Sequence, residues 1–131
     1  MPPRTPPKLL ALVLAVTLSL SAHGAELVRE FKGSRSMTTA EFEVAAPWIL
    51  EWRVTGDFPM HLAVDVALLY AGTGVHVGNV LKTKQTGNGV KLFEQGGRFT
   101  FLVNASMASW TLRVEQLTRQ EAAQYTPKTE P

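Results

Sequence analysis

The sequence predicts an all-β domain, an antiparallel β-sandwich of about seven or eight strands. Three observations lead there. After residue 24, apolar residues recur at every second position along most of the chain, the mark of strands with one buried face. Clusters of Gly, Pro, Asn and Asp interrupt that alternation at intervals of roughly 8–12 residues, the spacing of a sandwich or barrel. No stretch beyond residue 24 carries an apolar period of 3.6, so helices are not expected to build the core.

The first 24 of the 131 residues stand apart. They begin MPPRTPPK, with two basic residues and no acid, and continue LLALVLAVTLSL and then SAHGA. A basic start, an apolar run and a small-residue site in that order are expected of a helical secretory signal peptide. Ala22 and Gly24 suit the −3 and −1 positions, so the cut is expected after Gly24, with Ala25 as the alternative. Twelve apolar residues rise about 18 Å as a helix, short of the roughly 20 residues that a membrane span needs. The expected product is exported, periplasmic or secreted, with no stable membrane span once the leader is removed.

Strand candidates follow in order. Residues 27–32 form a short first strand, and Gly33 to Ser36 turns the chain. In 38–44, Ala40, Phe42 and Val44 face one way, and Thr39, Glu41 and Glu43 the other. Ala46-Pro47 ends that run, because proline cannot donate to a ladder. Residues 48–55 place Trp48, Leu50, Trp52 and Val54 inward, and Ile49, Glu51, Arg53 and Thr55 outward. After a turn at 56–59, residues 60–70 alternate Met60, Leu62, Val64, Val66, Leu68 and Tyr70 against His61, Ala63, Asp65, Ala67 and Leu69. A turn at 71–74 precedes a strand at 75–81. KTKQTGNG then reads as a polar loop, with Asn88-Gly89 as a tight-turn pair. Residues 90–94 form a short strand. Gly96-Gly97 supplies permissive backbone for a reversal. Phe99, Phe101, Val103 and Ala105 begin a final pair that returns through Trp110, Leu112 and Val114, joined by a loop at 105–109. The expected organisation is a leader at 1–24, one β-sandwich at 25–117, and a polar, disordered tail at 118–131.

Composition excludes several chemistries. The chain has no Cys, so disulfides, zinc thiolate sites and Cys nucleophiles are ruled out. Lys and Arg number 13 against 11 acids, but Arg4 and Lys8 belong to the leader. The mature domain is therefore balanced and lacks the basic surplus that nucleic acid requires.

Motifs for catalysis are sparse. His61 and Asp65 share a strand face but lie about 13 Å apart along it. His76 reaches them only if strand pairing brings it there. A small hydrolase or metal site would have to assemble from His61, His76 and Asp65. The GTG at 72–74 and the GNG at 87–89 open no helix, so they lack the dipole that phosphate loops use. Glu41, Glu43 and Glu51 are the carboxylates to consider for glycosidase chemistry, but their polar-face positions suit a solvated sheet. Sugar binding would need exposed aromatic rings; Phe58, Tyr70 and Phe93 lie near turns and are better placed than the three tryptophans. Asn104-Ala-Ser106 matches a glycosylation sequon.

The pattern T..F.V..PW.L.W...G, then G..VG.V, then GGRF.F.V......W.L.V resembles small secreted bacterial β-sandwich domains of unknown function. It spans about residues 33–117. More remotely it is similar to CUB-like and pre-peptidase C-terminal domains. The resemblance implies a jelly-roll or CUB-like sandwich and a bacterial source. It implies no catalytic residue, because the shared positions are core Trp, core apolar residues and turn Gly. Calcium-binding CUB domains carry acidic loop clusters; here the only aspartates are Asp57 and Asp65. The expectation is a non-catalytic binding or accessory module, with no cofactor, that contacts a protein or an envelope polymer. A small hydrolase and a carbohydrate-binding module are the alternatives.

Overall fold

The computed structural model describes residues 25–125. Residues 1–24, where the leader is expected, and residues 126–131, the end of the expected tail, lie outside that range. Nine strands run in the order β1 (Glu26–Gly33), β2 (Met37–Thr38), β3 (Phe42–Val44), β4 (Trp48–Thr55), β5 (Ala63–Tyr70), β6 (His76–Thr83), β7 (Gly87–Phe93), β8 (Gly97–Ser106) and β9 (Ser109–Gln116), followed by one helical turn, α1 (Arg119–Ala122). The first sheet has the order β1-β9-β4-β7. The second has β2-β8-β5-β6, with β3 also on β8. All the pairings are antiparallel, and the two sheets pack as a sandwich, as the alternation predicts.

The core lies between the sheets. Leu50, Val54, Leu112 and Val114 of the first sheet meet Val64, Val66, Leu68, Phe101 and Val103 of the second. Trp48 stacks on Phe93 with ring centroids 4.1 Å apart, and its Nε1–H donates to Gln95 O at 2.9 Å. Trp110 is buried as expected, and its Nε1–H donates to Arg35 O at 3.1 Å. Each large ring thus buries its area while its single donor is satisfied.

Four departures from the sequence reading have physical causes. First, the strand expected at 38–44 is broken into β2 and β3. Thr39, expected on the polar face, is buried at 4% exposure, while Ala40, expected inside, is exposed. The Thr39 N–H donates to Phe101 O at 2.9 Å, and the Phe101 N–H donates to Thr39 Oγ1 at 3.0 Å. A side-chain oxygen therefore stands in for a ladder carbonyl across the break. Ser36 repeats the device by accepting from the Ala105 N–H at 2.9 Å.

Second, Asn88-Gly89 is not a turn. Both residues lie in β7, paired with Arg53 and Trp52, and the chain reverses earlier, at 84–86. Glycine is needed at 89 because a Cβ there would meet the Trp52 ring at 2.7 Å. Trp52 itself is half-buried beside that edge strand.

Third, Ile49 is fully buried although it faces away from the main core. It forms a small second cluster with Leu117 and Ala122. Fourth, the stretch expected to be a polar tail from 118 begins with α1. Thr118 caps it: the Glu121 N–H donates to Thr118 Oγ1 at 3.1 Å, and Glu121 Oε1 accepts from the Thr118 N–H at 2.8 Å. That capping box turns Ala122 onto Ile49.

The strand register defines two ends. Turns 34–36, 56–62, 84–86 and 107–108 gather at one end; turns 71–75 and 94–96 lie at the other, together with the start of β1 and the end of β9.

Candidate functional site

The strand pairing separates the residues considered for hydrolysis. His61 lies in the turn before β5, at the many-turn end, where its N–H donates to Phe58 O at 2.9 Å. His76 pairs with Leu69 near the far end of the same strand. The six residue steps of β5 from Ala63 to Leu69 put roughly 20 Å of strand between the two histidines. Asp65 sits between them, opposite Lys82 on one side and Asn104 on the other. His76 Nε2 lies 3.4 Å from Asn79 Oδ1. His61, His76 and Asp65 therefore do not assemble. Among the described residues no group of three or more His, Cys, Asp or Glu is arranged to hold a metal ion. Glu41 and Glu43 lie beside Arg98 on the second sheet, while Glu51 is on the first, so these carboxylates do not face one cleft.

The aromatic candidates divide as well. Phe93 has one face against Trp48. Tyr70 stacks on Phe99 at 5.8 Å, and its hydroxyl accepts from Gln95 Nε2 at 2.6 Å. Of the three rings near turns, Phe58 alone stands free, at 57% exposure. Asn104 is exposed on β8.

Phe58 belongs to a surface that the sequence only partly signals. The β4–β5 turn carries Phe58 and Met60, the latter 89% exposed. The two-residue β8–β9 reversal carries Met107 at 52% exposure. Phe58 and Met107 flank a hollow of about 400 Å³ whose floor includes Gly56 and Ala108 and whose polar wall includes Ser34, Thr55, Asp57 and Ser109. The hollow is held open by backbone: Thr55 pairs with Ser109 across β4 and β9, and Gly56 packs so closely on Met107 O that a Cβ there would come within 2.9 Å.

Met107 has φ +53°, and among the described residues it is the one non-glycine with positive φ. The left-handed region costs an L-residue roughly 1 kcal/mol and is ordinarily given to Gly or Asn. Here it holds an apolar side chain facing solvent. The alternation predicts Met60 on the inward face of a strand at 60–70 and a loop at 105–109, whereas β5 starts only at Ala63 and Met60 lies in the preceding turn. The available signal was a run of large apolar residues, Phe58 and Met60, inside a turn.

A second concavity lies on the outer face of the first sheet, with a volume of about 430 Å³. At its centre Arg113 is shared by three carboxylates: Glu30 at 3.3 Å, Glu51 at 3.4 Å and Glu115 at 3.4 Å. Burial raises the Glu115 carboxyl above its ordinary range, and a hydrogen bond and repulsion from Glu51 add to that, against the pull of Arg113. Desolvation opposes the charge on Arg113, but its bonds to Glu30 and Glu115 outweigh it and hold the guanidinium above its usual value.

Compared with known proteins, the chain matches no family model and no curated protein.

Proposed function

We propose that the chain is an exported, non-catalytic binding module that docks a protein partner on the end bearing Phe58, Met60 and Met107. The observation that carries this reading is Met107, an exposed apolar side chain held in backbone that favours glycine. Strain of this kind persists where surrounding structure enforces it, and it concentrates at binding and catalytic positions. The hollow beside it has room for one or two side chains, and its apolar flanks with a hydroxyl-rich wall match the anchor-and-rim anatomy of protein contacts. Methionine suits such a surface because its side chain adapts to the shape it meets. The start of β1 and the end of β9 lie at the opposite end of the sandwich. The resemblance to small secreted bacterial sandwich domains agrees with an export leader and a non-enzymatic role.

The test is photocross-linking in the producing cell. A benzophenone side chain is placed at position 58 or 60, and at Thr73, in a turn at the other end, as control. Positions 58 and 60 are expected to give the same discrete adduct, with none from 73. Equal labelling from all three positions, or no adduct from 58 and 60, would overturn the proposal.

A further inference from the structure

The concavity on the first sheet contains two charged rows that differ in how their charges are satisfied. In the first row, Arg113 is surrounded by Glu30, Glu51 and Glu115 and has no remaining demand for an anion. The second row lies one inter-residue pair further along the strands. There Lys32 pairs with Thr111, Thr111 with Arg53, and Arg53 with Asn88. The inward neighbours Phe31, Val54, Trp110 and Leu112 are buried, so the four residues of this row share the outer face. Among the described residues neither Lys32 nor Arg53 has a carboxylate within salt-bridge distance. Both line the concavity, as do Thr111 and Asn88.

This row is a line of donors. Two strand spacings separate Lys32 from Arg53, about 9.6 Å of backbone, with the Thr111 hydroxyl between them and the Asn88 amide beyond. Both long side chains can fold toward an oxygen-bearing group seated over Thr111. Lysine offers a point charge, and arginine a planar fork matched to carboxylate and phosphate oxygens. The glutamates of the first row, about 6.7 Å away along the strands, repel a densely charged polyanion. They leave room for one anionic group flanked by neutral, hydroxyl-bearing neighbours.

We infer that Lys32, Thr111, Arg53 and Asn88 form a binding site for a single oxyanion, a phosphate or a carboxylate, on a hydroxyl-rich chain. The site lies on a different surface from the loop end and stands or falls independently of the docking proposal.

The experiment is an amide-resolved NMR titration of the full chain at low ionic strength. Inorganic phosphate, a galacturonate oligomer and a neutral glucose oligomer are the probes. Saturable shifts at the amides of residues 32, 53, 88 and 111 are expected with phosphate or with galacturonate, and the probe that saturates first identifies the anion. Arg53→Gln is expected to weaken that binding by about tenfold, the loss of one charge-assisted pair. Thr111→Val keeps both charges and is expected to weaken it less. Thermal unfolding of each variant verifies that the fold is intact. The inference is overturned by the absence of saturable shifts with either anion, by equal response to the neutral oligomer, or by Arg53→Gln binding as the parent does.

Discussion

Thr39 offers the sharpest test of how the second sheet is closed. Its Oγ1 is the acceptor for the Phe101 N–H, at a place where β2 and β3 leave β8 without a backbone carbonyl. Thr39→Val preserves shape and removes that acceptor. A buried N–H left unsatisfied costs about 1–3 kcal/mol, and the new methyl returns up to about 0.8 kcal/mol at this buried position. The net loss expected is about 1–2 kcal/mol. For a domain near 100 residues, that lowers Tm by roughly 5–15 °C. Thr39→Ser keeps the oxygen and loses only a methyl, so it separates packing from hydrogen bonding. The assay is urea unfolding together with hydrogen exchange at the Phe101 amide. Exchange is expected to accelerate in Thr39→Val and to remain slow in Thr39→Ser. Parent-like stability of Thr39→Val with a still-protected Phe101 amide would refute the reasoning.

Other predictions follow from the same geometry. Gly89→Ala drives a Cβ to 2.7 Å from the Trp52 ring and is expected to cost about 1–3 kcal/mol; denaturation with a shift in tryptophan emission reads it, and a parent-like Tm would contradict it. Glu115 holds its proton more tightly in the folded chain than at the ordinary value of 4.5. Between the ordinary and raised values the folded state binds more protons, so this group's contribution to stability declines as pH rises through that window. Glu115→Gln is expected to remove that decline, and unfolding curves for parent and variant that run parallel from pH 4 to 8 would count against it. Ala122→Glu sets a charge against Ile49 and Leu117 and is expected to detach α1, seen as faster amide exchange at residues 119–123 while the sandwich stays folded.

Much of the fold is legible in the chain because period-2 alternation reports the buried face of a strand directly. The alternation predicts a strand at 48–55, the bounds that β4 has, and puts Trp48 and Trp110 inward, where both are buried. What the pattern misses is contact between distant residues. Asn88-Gly89 has local turn chemistry, yet Gly89 is required by a ring on the neighbouring strand. Thr39 reads as polar surface because alternation cannot signal a side chain that completes another strand's ladder. Ile49 looks exposed until α1 covers it. For function, the sequence shows Phe58 as an aromatic near a turn, but its neighbour across the hollow, Met107, is about fifty residues away in the chain, and the positive φ of Met107 is a property of the folded turn. The row from Lys32 to Asn88 is likewise set by strand order, which periodicity does not specify.

The docking claim is tested most directly by measuring the adduct formed from position 58 in a Met107→Gly background, alongside the stability of Met107→Gly itself. Glycine relieves the left-handed backbone, so stability is expected to hold or to rise by up to about 1 kcal/mol, while the adduct is largely lost because the apolar flank of the hollow is gone. An undiminished adduct in Met107→Gly would contradict the account, since the partner would then not be reading the side chain on which the proposal rests.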